Sequence, residues 1–458
     1  MKSFSIVQRF FKFDKSVYGW AIYDWANSAF ATTVMAGFFP LFFKQYWSFG
    51  ADVNVSTAQL GFGNALGGLI VAALAPILGA IADRSNAKKK FLIFFAYLGS
   101  LMTAALFLVQ KGDWQLAIIA YLIGVVGFSG ANVFYDALLT TVAPKKEVDY
   151  ISGFGYALGY LGGGLLFLVN VLMTLYPHAF GLADAANAVK VSFLTVALWW
   201  GGFTVFTILW VKEEFPTPVK KQKIAVGEGW RQLVETFQKI RFLKNTGLFL
   251  CAYWLYIDGV HTIIRMAVDY GLSLGLKDTY LITALLMVQF IGFPASILYG
   301  KLGQTWNTRN ALFFAILLYM AITAGGIFIS NSTHFFLLAI GIGLVQGGIQ
   351  ALSRSYFIRL IPHSQAGEFF GFYNMIGKFA VIFGPLIVGL VGLLVKQFLI
   401  QNGMSDLELQ SISNLASRWG IGSLLLLFIA GGIFLSFVDE EEGKNEIEKY
   451  EANGAFDN

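Results

Sequence analysis

Twelve times along its 458 residues this chain runs through an apolar stretch long enough to cross a lipid bilayer. That repetition constrains the fold more than any motif does. A membrane-crossing helix needs about 20 mostly apolar residues. Such stretches lie near 17–43, 58–82, 91–109, 114–142, 151–175 and 190–211, then near 246–268, 279–300, 310–329, 334–360, 369–395 and 415–437. Inside hydrocarbon each backbone N–H and C=O must be satisfied within its own segment, so these stretches are expected as helices. Composition agrees. Only 13% of the residues are charged and 57% are hydrophobic, whereas soluble proteins carry about 25% charged residues. The expected fold is all-α and integral to the membrane.

The longest connection, 212–244, is rich in Lys and Arg and divides the chain into six spans plus six. The expected organisation is an amphipathic segment at 1–16, a first six-helix bundle at 17–211, a linker at 212–244, a second bundle at 245–438 and an acidic tail at 439–458. In the linker Trp230, Leu233, Val234, Phe237 and Ile240 recur at helical spacing, which predicts an amphipathic helix lying at the membrane surface. Phe4, Val7, Phe10 and Phe11 suggest a similar short helix at the start. The tail reads as disordered. With the N-terminus inside, 23 of the 32 Lys and Arg fall in cytoplasmic segments. Six fall outside: Lys44, Lys111, Lys190, Lys277, Lys396 and Arg418. That excess satisfies the positive-inside rule and places both termini in the cytoplasm. The first apolar stretch is too long for a signal peptide. The net charge of +5 is accounted for by this topology, so nucleic acid is not expected as a partner. The one cysteine, Cys251, rules out an internal disulfide and a cysteine-based metal site. No metal or cofactor is expected, and without a Walker A motif ATP is not the energy source. A monomer in the bacterial inner membrane is expected.

The two halves repeat each other. Trp20-Ala-Ile-Tyr-Asp24-Trp-Ala-Asn27 in the first span matches Trp254-Leu-Tyr-Ile-Asp258-Gly-Val-His261 in the seventh. Gly130, Asp136, Pro144, Gly153 and Gly159 match Gly348, Arg354, Pro362, Gly371 and Gly377 at a constant offset of 218. Asp136 thus corresponds to Arg354. Parallel repeats of this kind are a known transporter architecture.

The loop after the second span reads Gly79-Ala-Ile-Ala-Asp83-Arg84-Ser-Asn-Ala-Lys88-Lys89-Lys90. It resembles the signature loop of the major facilitator superfamily, with Asn86 where a glycine is usual. The equivalent loop of the second half, Gly300 to Arg309, lacks the aspartate. Tyr23-Asp-Trp-Ala-Asn-Ser-Ala-Phe30, Gln350-Ala-Leu-Ser-Arg-Ser355 and Glu368-Phe-Phe-Gly-Phe-Tyr373 narrow the likeness. They resemble the branch that holds the autophagy-related vacuolar amino-acid effluxers and their bacterial relatives. The resemblance implies twelve helices in two pseudo-symmetric six-helix bundles and secondary transport. It also implies a gating loop, with Gly79, Asp83 and Arg84 acting as a latch. By its own chemistry Asp83 can cap a helix N-terminus or meet a basic residue; for Lys88 to Lys90 topology alone is the simpler role.

Polar stripes mark where a solute or proton would bind. Asp24, Asn27 and Ser28 share a face of the first helix, and Asp258, His261 and Arg265 share one of the seventh. The fourth offers Asn132 and Asp136, the fifth Tyr156 and Tyr160, the tenth Gln346, Gln350 and Arg354, and the eleventh Asn374 and Lys378. A charge at a helix centre costs about 2.5–3.5 kcal/mol on insertion scales, so these groups should turn away from lipid. Structural pairing of Asp24 or Asp136 with Arg354 or Lys378 is the competing explanation; a pair that forms only on one side would be a gate. A carboxylate in a water-reached cavity can carry a proton, which makes the proton a candidate coupling ion; an unperturbed histidine titrates near neutral pH, so His261 is a second candidate, with a plain hydrogen-bonding role as the alternative. Paired acids and bases suit a zwitterion such as an amino acid: Asp24 or Asp258 for an ammonium, Arg354 or Lys378 for a carboxylate. Export of a siderophore, drug or other amphiphile is the alternative. An intramembrane hydrolase using Ser129 and His261, and a sensor that has lost transport, are weaker readings. Gly271-Leu-Ser273-Leu-Gly275 lacks the strand–turn–helix context of a nucleophile elbow, and Gly61, Gly63 and Gly67 suit helix packing better than a nucleotide loop.

Overall fold

A computed structural model describes residues 13–50, 53–85, 87–213, 229–273, 277–329, 331–379, 383–401 and 409–452. Among them there is no strand, and twelve helical spans are long and apolar enough to cross a membrane. The helices are α1 (Lys15–Trp47), α2 (Val53–Ser85), α3 (Lys88–Ala105), α4 (Trp114–Val142), α5 (Val148–Leu175) and α6 (Ala185–Trp210). The linker helix is α7 (Gly229–Phe242). Then come α8 (Lys244–Ser273), α9 (Asp278–Trp306), α10 (Thr308–Ile327), α11 (Ser332–Ile358), α12 (Ala366–Phe379), α13 (Phe383–Gln401), α14 (Leu409–Gly422) and α15 (Leu425–Ser436). A last helix, α16, spans Glu440–Ala452. Of the predicted N-terminal amphipathic segment, Phe4, Val7, Phe10 and Phe11 lie outside the described residues.

The chain forms two compact units. Unit 1 is Met1–Gln232 with His363–Gly371; unit 2 is Leu233–Pro362 with Phe372–Asn458. In unit 1, α5 presents glycines to α1. A Cβ at Gly162 would strike the backbone of Trp25 at 2.5 Å, and one at Gly163 would stand 2.8 Å from Thr32 Oγ1. Without side chains there, the two helices approach closely, which is how membrane helices gain packing when hydrophobicity alone does not drive them together. Beyond Ala29, α1 widens into π-type turns over Phe30–Phe38, a distortion frequent at functional sites.

In unit 2, α8 packs on α15, where Gly259 faces the ring of Phe428, and α11 packs on α9, where Gly348 faces the ring of Tyr299. Its repeat mate Gly130 in unit 1 likewise lies against a ring, that of Phe95. The phenol of Tyr256 and the hydroxyl of Ser353 tie α8 to α11 at 2.6 Å.

The tail departs from expectation. It is helical because Asp439 accepts from the N–H groups of Glu441 and Glu442, and Glu440 to Glu442 place negative charge in the first turn. Lys444 braces it by reaching Glu440 at 3.1 Å and Glu441 at 2.9 Å. The helix is also docked. Glu446 accepts from the backbone N–H of Asn245 at 3.0 Å and from its side-chain amide at 3.1 Å, which caps the start of α8. Arg359 pairs with Glu440 at 3.3 Å, and Tyr450 is buried beside Phe242. Low apolar content suggested disorder, but capping and docking decide the outcome.

Candidate solute and gating sites

Unit 1 gathers its polar groups around Asp24. One carboxylate oxygen accepts from Ser28 Oγ at 3.1 Å and the other from the Tyr135 hydroxyl at 3.2 Å. Ser28 is one turn further along α1, so the repeat of the helix supplies the first donor. Trp20 fixes the second: its indole N–H donates to the carbonyl of Tyr135 at 2.7 Å, and the two rings stack at 4.4 Å. Gly159 leaves the room, since a Cβ there would come within 2.9 Å of Asp24 Oδ1. A turn away, Asn27 donates to Asn132 Oδ1 at 2.6 Å, again joining α1 to α4. Asp136 and Tyr160 are buried, and Tyr156 is half-buried.

Unit 2 builds a different site from matching residues. Asp258 is 1% exposed. Both of its carboxylate oxygens accept from the backbone N–H of Gly384, each at 3.0 Å, and Thr262 donates to Oδ1 at 3.3 Å. Gly384 lies in α13. Asp258 therefore ties the backbone of that helix to α8. Pro385 follows, a residue with no N–H of its own. Where Asn27 is tied down, His261 leaves a buried Nδ1 with no hydrogen-bond partner among the described residues. Gln350, mate of Asn132, donates instead to the carbonyl of Gln346 on its own helix at 3.1 Å. Arg354 is buried to 2% exposure, while Arg265 is exposed and Lys378 and Asn374 are half-buried.

The signature loop also acquires a geometry. Asp83 accepts from the backbone N–H groups of Gly367 at 2.9 Å and Glu368 at 2.7 Å, at the start of α12. It meets Lys88 Nζ at 2.9 Å. A carboxylate at a helix N-terminus is favoured by the dipole and by the unpaired N–H groups. The glycines make the approach possible: a Cβ at Gly79 would collide with the carbonyl of Gly367, and one at Gly371 with that of Ala75. The side chain of Arg84 lies outside the described residues. Outside the spans, Glu213 caps α3 by accepting from the N–H of Lys88 at 2.9 Å and of Lys89 at 3.4 Å. Its burial raises the carboxyl pKa above the usual range.

Sequence reading alone passed over Tyr135, Thr262 and Gly384. Thr262 was available from the repeat, because it stands to Asp258 as Ser28 stands to Asp24. Gly384-Pro385 within an apolar span was the signal for a point of close backbone approach. Tyr135 sits beside the more conspicuous Asp136, and its role comes from its contact with Trp20.

Solved structures share this architecture. The human organic anion transporter MFSD10 (TETRAN) matches with a TM-score of 0.65 at 13% identity, covering 92% of this chain and 99% of that one. The proton:xylose symporter XylE matches with a TM-score of 0.65 at 13% identity, covering 95% of this chain and 97% of that one. At such identity the likeness speaks for the fold, and the fold is that of the major facilitator superfamily: two pseudo-symmetric six-helix bundles. The protein is a multi-pass integral membrane transporter of that type, not an enzyme. Residues 48–393 match the family described as "Vacuole effluxer Atg22 like". The "Uncharacterized MFS-type transporter YxiO" of Bacillus subtilis is 38% identical over 432 residues, 94% of this chain and 96% of its own. "Autophagy-related protein 22" of Yarrowia lipolytica is 23% identical over 460 residues, 82% of this chain and 74% of its own. The chain belongs to the Atg22-like family.

Proposed function

We propose that this protein is a secondary active transporter that moves a small polar metabolite, an amino acid or similar zwitterion, by alternating access. The observation that carries this reading is the setting of Asp24. Two of its partners are hydroxyls, Ser28 on α1 and Tyr135 on α4, within an apolar bundle. Hydroxyl donors can rotate away, so this carboxylate can take up an ammonium or a proton without breaking backbone structure. The family supports the substrate class, because the sequence resembles vacuolar effluxers. A proton is the candidate coupling ion, and the Asp83 cap on α12 is the proposed latch. The charge pattern supports a bacterial inner-membrane protein with both termini in the cytoplasm.

Flux of labelled amino acids into proteoliposomes, with and without a pH gradient, tests the proposal. Wild-type protein is expected to carry at least one amino acid, and Asp24→Asn to lower that flux by about tenfold or more and to erase its dependence on the gradient. Normal flux and unchanged pH dependence in Asp24→Asn would remove Asp24 from the mechanism. Absence of flux for every amino acid would remove the substrate class.

A further inference from the structure

Three basic side chains converge within unit 2. His261 and Arg265 stand one turn apart on α8, and Lys378 closes the last turn of α12. Contacts along the helices fix how they lie together. Tyr253 stacks on Tyr373 at 4.1 Å, Trp254 meets Phe383 edge-on at 5.2 Å, and Asp258 reaches Gly384. These pairs bracket Lys378 between the contacts at Tyr253 and at Asp258, so it lies alongside the stretch of α8 that leads to His261. In that register Lys378 and Arg265 both act electrostatically on His261 and on each other. Asp258 also lies within electrostatic reach of Arg265, but its two oxygens are already committed to Gly384 and Thr262. Lys378 has no ion pair among the described residues, and His261 Nδ1 is buried without a partner.

Positive charge gathered in an apolar segment is costly unless something neutralises it. Here the groups differ in a useful way. Arginine offers a planar fork that suits two oxygens, lysine a point charge, and histidine a single directed N–H. Together they suit a small planar anion. We infer that His261, Arg265 and Lys378 form the subsite that recognises the carboxylate of the transported solute, with Asp258 holding α13 in place instead of binding the solute's ammonium. This deepens the transporter reading above and rests on it. It moves the carboxylate-binding role away from Arg354, which is buried in the packed run of residues 351–358.

The test is ligand stabilisation of the purified full-length protein in lipid nanodiscs. The probes are leucine, lysine and glutamate, the α-amide of each, and the matching acid that lacks the α-amine. Wild-type protein is expected to be stabilised by at least one carboxylate probe and not by its amide. Lys378→Gln should weaken that probe by about tenfold or more, and Lys378→Arg should recover most of the loss. Size-exclusion elution of each variant separates lost binding from lost folding; if Lys378→Gln does not fold, His261→Asn serves as the test, with the same expected loss. Equal binding of acid and amide overturns the subsite, as does undiminished affinity in the folded variants or the failure of every carboxylate probe. The two readings fail separately. Amine-free acids that bind through Lys378, with no amino acid bound, leave the subsite standing and remove the amino-acid reading. Amino acids that bind regardless of Lys378 do the reverse.

Discussion

Asp24 and Asp258 occupy the same place in a repeated sequence and do different physical work. Each follows a tryptophan by four residues, and each has a hydroxyl one turn further on, Ser28 or Thr262. Each also lies against a glycine of another helix, Gly159 or Gly384. The difference is in what the neighbouring helix offers. The backbone N–H of Gly384 donates to both oxygens of Asp258. Asp24 instead accepts from two side-chain hydroxyls, Ser28 and Tyr135, while α5 is continuous through Gly159. A duplicated sequence can thus keep its acids and still give them different partners.

The largest effect should come from filling the glycine at each acid. An added Cβ at Gly384 collides with Thr262 Oγ1 and comes within 2.7 Å of Asp258 Oδ1, whereas one at Gly159 meets Ser28 Oγ at 2.7 Å and Asp24 Oδ1 at 2.9 Å, a smaller overlap. Gly384→Ala should cost about 3 kcal/mol and Gly159→Ala about half that, read as melting temperatures in one detergent. Equal losses would erase the contrast. Next, Asp258→Ala leaves the Gly384 N–H buried without an acceptor and should cost about 2–3 kcal/mol. Asp24→Ala should cost about 1 kcal/mol, because Tyr135 and Ser28 can find other acceptors. If Asp24→Ala proves the more damaging, the contrast between the two acids is mistaken. Smaller still, Tyr135→Phe should cost about 1 kcal/mol or less while shifting the pH profile of transport, since it removes one donor to Asp24.

The smallest effect concerns Glu213, a carboxylate cap outside the spans. Its pKa is raised, burial being the main cause, with the N–H groups of Lys89 and Lys88 opposing it. The folded state therefore holds its proton to higher pH than the unfolded state does. Its contribution to stability is fully present below the ordinary glutamate range and is lost as pH rises through the raised value. Against Glu213→Gln, wild-type protein should gain in relative melting temperature as pH falls from about 7 to about 5. A relative loss on acidification would reverse the sign and with it the role of burial.

Much of this was legible beforehand, because hydrophobic length and charge asymmetry are properties of sequence alone. The spans, the duplication and the acids at 24 and 258 all follow from spacing. What spacing does not carry is the partner. Nothing near Asp258 in sequence says that its acceptor role is filled from Gly384, 126 residues on. The constant offset even points to Gly377, whose Cβ position instead faces Tyr253. The tail shows the same limit: composition reports too few apolar residues for a core, but Glu446 needs only one helix end to cap.

That last contact has a consequence for the order in which the protein can be completed. Asn245 begins the second set of spans, yet the carboxylate that caps it comes 201 residues later, beyond the last of those spans. Unit 1 waits in the same way, for Asp83 finds its backbone donors at Gly367 and Glu368, more than 280 residues further on. Domains are generally built from the N-terminus as the chain emerges. Here the first unit is made early and closed late, and the second is sealed only after all of its spans have been made.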